Sequence, residues 1–223
     1  MPELQFRKAE RKQSKLRLAL IAPSGFGKTY GALRIATGLS GKIAVLDTEN
    51  GSADLYAKSF EYDVLTMSAP YLPEKYVMAI KAAEEAGYNT LIIDSISHAW
   101  SGEGGSLDKH GALADKGGNS WAAWRKVTPD HNRLVEAMIQ SKINIIVTMR
   151  TKTDWIVGDD KKPVKVGLAP VQRDGLEYEF TTVFDLDSSH NGHCSKDRTG
   201  LFDNKITPIT EQVGIDLNKW LNE

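Results

Sequence analysis

A single cysteine, Cys194, stands among 223 residues, so no intramolecular disulfide can form and the core must hold without covalent staples. That usage fits a reducing compartment. No apolar run approaches the roughly 18 residues that would span a bilayer. Residues Met1 to Lys15 are polar rather than signal-like, so the expectation is a cytoplasmic protein with no membrane partner. An excess of charge is missing too: 28 basic against 29 acidic side chains give a net charge of −1, which excludes a globally basic nucleic-acid binder. What is present is a hydrophobic fraction of 41%, enough at this length for one core-bearing domain of the common size, roughly 150 residues or somewhat more.

The charge is unevenly spread. Arg7, Lys8, Arg11, Lys12 and Lys15, with Arg17 just beyond, face only Glu3 and Glu10, and residues 1–15 read as a basic N-terminal arm on a single domain spanning 16–223. A second basic stretch holds Arg150, Lys152, Lys161, Lys162, Lys165 and Arg173 against Asp154, Asp159 and Asp160.

Short β-branched runs alternate with segments of helical period, the pattern of a mostly parallel central sheet with crossover helices. Strands are expected at 16–21, 43–47, 62–66, 90–94 and 143–149, and helices at 29–39, 53–60, 73–87, 120–141 and 210–221. Six glycines make 101–119 read as a loop, and 151–178 lacks periodicity and reads as loop as well. A C-terminal antiparallel hairpin over 181–187 and 193–196 is expected to turn at Asn191-Gly192.

The first strand runs into Ala22-Pro23-Ser24-Gly25-Phe26-Gly27-Lys28-Thr29 and then a helix, the context a P-loop requires. Glycines let successive backbone N–H groups face one concavity, and the helix N-terminus favours an anion there. The nucleotide-binding residues are therefore expected to be Ser24, Gly25, Phe26, Gly27, Lys28, Thr29 and Tyr30, with Lys28 on the phosphates and Thr29 on Mg²⁺. Ala22 departs from the motif, which has glycine there. Leu91-Ile92-Ile93-Asp94 looks like a Walker B strand whose Asp94 would hold the Mg²⁺ of ATP. Glu49, just past the second strand, lies where a water-orienting carboxylate would sit.

The stretch from Ile43 to Trp100, together with the opening FRKAERKQSKLRLALIAPSGFGKTYGALRIATGL, resembles RecA-like P-loop ATPases, and more narrowly the phage-encoded type associated with single-strand annealing and recombination. That resemblance implies a RecA-like α/β fold, ATP hydrolysis with Glu49 as the water-activating residue, and Asp54 and Tyr56 beside the adenine. It implies homo-oligomers, as rings or filaments, in which the Lys196-Asp197-Arg198 run offers Lys196 and Arg198 to a neighbour's γ-phosphate. It also implies single-stranded DNA as the ligand, with single-strand-binding or replication proteins as further partners and a bacterial host's cytoplasm as the location. Loops after the later strands line the DNA path in such proteins, and Lys152, Trp155, Lys161, Lys162, Lys165 and Arg173 are the candidate DNA contacts, since cations follow phosphate and aromatics stack bases. Near the position of Arg150 relatives often carry a glutamine that senses the γ-phosphate.

Other groupings point less far. His190, His193 and Cys194 lack a second cysteine pair for a structural zinc site. Trp121 and Trp124, three apart on a helix, read as packing. An ATP-dependent loader or switch protein is the alternative function. A P-loop small-molecule kinase is disfavoured by the absence of an arginine-rich lid, and a GTPase because Ile206 and Thr207 follow Asn204-Lys205 where a guanine-reading aspartate is needed.

Overall fold

The computed structural model describes Lys8 and residues 14–117, 119–157 and 163–223, with backbone alone for 154–157 and 163–166. Most of the basic arm, 1–7 and 9–13, lies outside the described residues. An eight-stranded sheet is built from β1 (Arg17–Ile21), β2 (Ile43–Asp47), β3 (Asp63–Thr66), β4 (Thr90–Asp94), β5 (Asn144–Met149), β8 (Thr182–Leu186), β9 (Asn191–Asp197) and β10 (Ile206–Pro208). Its order is β10-β9-β8-β1-β5-β4-β2-β3. From β3 to β8 neighbouring strands are parallel, and β9 and β10 add an antiparallel edge. The expected mostly parallel sheet with a C-terminal antiparallel hairpin is the fold observed.

Alternation along the strands divides the core into two layers. Leu18 and Leu20 of β1 face α1 (Lys28–Leu39) and α6 (Glu211–Asn222), while Ala19 and Ile21 face α2 (Pro73–Glu85) and α5 (Ser120–Gln140). Strands β1, β2 and β4 are buried along their whole lengths, as strands covered on both faces must be. Helices α1 and α6 cross at Gly38 and Gly214, where an added Cβ would lie 2.1 Å from a backbone carbonyl of the opposing helix. Only glycine permits so close an approach.

Four expectations need correction. The glycine-rich 101–119 holds a helix, α4 (Ser106–Ala114), after the short α3 (Ser97–Ser101). Its glycines cluster before and after that helix, leaving Gly111 alone inside and facing open space, so their number overstated the break. The stretch 151–178 contains a two-stranded antiparallel ribbon, β6 (Thr151–Val157) and β7 (Pro163–Pro170). A register shift between Asp154 and Trp155 breaks the alternation that would have announced it. The C-terminal hairpin turns at 187–190, not at Asn191-Gly192, which already pair in β9. Asp187 makes that turn by accepting the N–H groups of Ser189 (2.8 Å) and Asn191 (3.0 Å).

Arg17 is the fourth. Although it adjoins the basic arm, it is only 7% exposed, and its guanidinium donates to the carbonyls of Leu16, Ile139, Ser141 and Ile143. Burial lowers its pKa to about 10, opposed by the charge of Glu84. It ties the C-terminal end of α5 to β1 and is no part of a solvated basic surface. Among the described residues no helix is long and apolar enough to cross a membrane.

Candidate phosphate and nucleotide site

Because β4 and β5 lie between β1 and β2, α1 crosses over them, and the carboxyl ends of these four strands border one crevice. A cavity of about 840 Å³ opens there. The loop from β1 to α1 forms its floor. Gly25 and Gly27 both have φ of 82°, a conformation that side chains resist. Ala22 has no positive φ, and its N–H donates to the Met149 carbonyl at 3.2 Å, extending β1 along β5. The motif's missing glycine therefore costs nothing at this position.

Lys28 Nζ is tethered to the carbonyls of Ala22 (2.9 Å) and Pro23 (2.8 Å). Burial lowers its pKa, while Asp94 and Glu49 act to restore the charge. Thr29 Oγ1 donates to Asp94 Oδ2 at 2.5 Å, and Thr148 Oγ1 donates to the other carboxylate oxygen. Asp94 is 2% exposed, and burial raises its pKa against the pull of those two hydroxyls. Hard oxygens from Thr29 and one carboxylate, adjoining a phosphate loop, fit Mg²⁺, which takes few protein ligands and completes its shell with water and phosphate oxygens.

Glu49 faces the same cavity. Asp47 positions it by accepting the N–H groups of Glu49 (2.6 Å) and Ala53 (3.1 Å), which turns the chain away from β2. The Glu49 carboxylate accepts Ser95 Oγ at 3.0 Å and is gripped on both oxygens by Arg150, with Nε at 2.8 Å. Burial raises its pKa, but the hydrogen bonds and charge of Arg150, helped by Ser95 and His98, outweigh this and leave it below the ordinary value.

The family model described as AAA domain matches residues 14–206, and so covers β1 through the start of β10, the phosphate loop and both acidic strand ends. The chain belongs to the AAA domain family. It is a P-loop ATPase, and the loop that floors the cavity at Lys28 lies within the matched span. A comparison with curated proteins returns no significant match.

In this AAA-domain ATPase, Ser24, Gly25, Gly27, Lys28, Thr29, Tyr30, Tyr56, Asp94 and Glu49 all line the cavity. Phe26 does not, since its ring packs against the core beside α1. Asp54 points to solvent from the 3-10 turn Ala53–Tyr56 and is not among the lining residues either. Tyr30 stands edge-on to Tyr56 (5.6 Å) and to Phe60 (5.2 Å), with Arg34 over its ring. Lys196 and Arg198 are not brought to this cavity. They sit where β9 pairs with the beginning of β8, at the sheet end opposite the phosphate loop, and both donate to the Tyr178 carbonyl. Lys161 and Lys162 lie outside the described residues. Trp155 and Lys165 are register partners across the β6–β7 ribbon, near whose root lie Lys152 and Arg173.

Among the further lining residues, three carry side chains whose place here the sequence did not reveal. Arg34 follows Tyr30 by four on α1, a spacing that could have suggested it. Arg150 was noticed without its partner. His190, grouped in sequence with His193 and Cys194, instead stands over Gly27 with its backbone at φ 62°. His193 turns to Asp187 (3.4 Å) and Cys194 to the Lys196 carbonyl, so the three do not converge.

Proposed function

We propose that this ATPase binds and hydrolyses ATP with Mg²⁺ while acting on single-stranded DNA in recombination or annealing, as the phage RecA-like type that its sequence resembles does. The observation that carries this reading is the position of Arg150. Its side chain holds Glu49 at the nucleotide cavity, its backbone leads straight into β6, and its carbonyl accepts the N–H of Val171 beyond β7 at 2.7 Å. One residue thus touches both the candidate hydrolytic carboxylate and the root of the basic ribbon.

Lys28 would leave the Ala22 and Pro23 carbonyls for the β- and γ-phosphates, and Thr29 with Asp94 would hold Mg²⁺. The ion, when bound, offsets negative charge on the phosphate oxygens. Glu49 orients the attacking water once Arg150 releases it, because a guanidinium paired with both oxygens neutralises the carboxylate and weakens it as an acceptor of the water's proton. Arg150 therefore acts as a positioning residue, and its movement towards bound phosphate is the link to the ribbon. Lys196 and Arg198, remote from their own cavity, serve a neighbouring subunit's γ-phosphate in a homo-oligomer.

The test is a mobility shift with labelled oligo-dT, with and without ATP, alongside ATPase rates. ATP-dependent binding and DNA-stimulated hydrolysis are expected. Absence of binding in both states would return the protein to the loader or switch class. The rate per subunit should rise with concentration in the parent and not in Arg198→Ala. A mixture of Arg198→Ala with Lys28→Ala should regain activity, because one subunit supplies the phosphate loop and the other the arginine.

A further inference from the structure

A second cleft, of about 900 Å³, lies between α5 and the root of the β6–β7 ribbon. Trp100, at the end of α3, and Trp124 form part of its lining and are stacked at 5.7 Å with planes 17° apart, and Trp124 also stacks on His110 at 4.1 Å. Trp121 is different. It is 81% exposed, its backbone N–H is capped by Asn119 Oδ1 at 2.8 Å, and among the described residues no ring stacks on it. The reading of both tryptophans as packing therefore holds for Trp124 and fails for Trp121. Around the same cleft lie Arg125, Lys152 and Arg173, against one acid, Asp174.

We infer that this cleft stacks the bases of single-stranded nucleic acid, with Trp121 as the platform and Arg125, Lys152 and Arg173 following the phosphates. The inference rests on the DNA reading above and adds a site to it. An indole left in water gains by covering a flat π-face, and every base has one. Three cations against one acid call for an anionic ligand, and a neutral apolar peptide would leave them uncompensated. Bases and phosphates alternate along a single strand, which matches an aromatic face bordered by cations. Lys152 is the second residue of β6, which begins directly after Arg150, so a strand seated here lies against the segment that joins the residue holding Glu49.

The test uses the full chain with Mg-ATP and two fluorescein-labelled probes of equal length, oligo-dT and an abasic oligodeoxynucleotide, read by anisotropy across a salt series. Trp121→Ala should weaken oligo-dT by about 10-fold, the size expected from losing one stacked base, and leave the abasic probe unchanged. Trp121→Phe should recover most of the loss. Lys152→Ala should weaken both probes and reduce the salt slope by about 1. Far-UV circular dichroism of Trp121→Ala should match the parent, since the side chain is exposed. If Trp121→Ala changes neither probe, or both equally, the stacking site is overturned, and a cleft that serves a protein partner would give that result. If the parent itself binds no oligonucleotide, the DNA reading of the protein falls first and this site with it.

Discussion

At the phosphate site, eight consecutive residues (22–29) and the ends of β2, β4 and β5 supply the chemistry, whereas the tryptophan cleft is assembled from α3, α4, α5, β6 and the 172–174 segment. Parallel strands deliver whatever follows them to a common edge, so Glu49, Asp94 and Arg150 meet because β2, β4 and β5 run the same way. The cleft has no such rule behind it. Trp121, Lys152 and Arg173 become neighbours only because α5 packs over α3 and α4 and the ribbon returns beside it. The two sites also differ in how firmly their groups are held. At the phosphate site the polar groups are partnered within the protein, while Trp121 presents most of its surface to solvent.

That contrast predicts unequal responses to substitution. The largest effect is expected from Lys28→Ala, which removes the phosphate loop's ammonium: hydrolysis is abolished and nucleotide affinity falls sharply, as read by a coupled phosphate assay and by fluorescent nucleotide titration. Normal turnover by this variant would break the assignment of the whole cavity. Glu49→Gln keeps the shape but not the charge, so turnover should fall by about 10²-fold while nucleotide still binds. A parent-like rate would mean that Glu49 serves only as the counter-ion of Arg150.

Beside the cleft, His131 is 4% exposed, lies edge-on to Trp100 at 5.4 Å, and has its pKa lowered to about 4, by burial first and the charge of Arg173 second. The unfolded chain therefore takes up a proton near pH 6.5 that the folded chain refuses until about pH 4. Folding stability is full above 6.5 and should decline by about 3 kcal/mol as pH falls between those limits. Urea melts across that range, compared with His131→Phe, check it, and equal slopes would remove His131 from the account. The smallest effect on nucleotide affinity is expected from Arg150→Ala. It cuts the connection between the two regions, so the ratio of hydrolysis with and without oligo-dT should drop to about 1 while nucleotide binding persists. An undiminished ratio would mean that the regions communicate by another route.

The legible parts of the chain were those whose meaning is local. Strand Ile43–Asp47 and strand Thr90–Asp94 were bounded correctly from their apolar runs, and Pro73 marked the start of α2. Helix α4 and the β6–β7 ribbon were not legible, because glycines at the ends of one and a register shift in the other mask the periodicity that reveals an element. Arg17 was misread for a related reason. Its neighbours in sequence are basic and polar, but its partners are carbonyls from 139 to 143, which no local pattern connects to residue 17.

By itself the sequence determined the phosphate loop, the parallel sheet and the two acidic strand ends, since backbone conformation at Gly25 and Gly27 and burial along a strand are decided by residues close together in the chain. Tertiary structure alone decided that Arg150 closes on Glu49, that His190 stands over Gly27, that Phe26 and Asp54 face away from the cavity, and that Trp121 stays exposed while Trp124 stacks. Each of these depends on which side chains arrive from distant segments to compete for the same space. That competition is settled by packing and by the need of buried charges for partners, and neither is written in the spacing of residues along the chain.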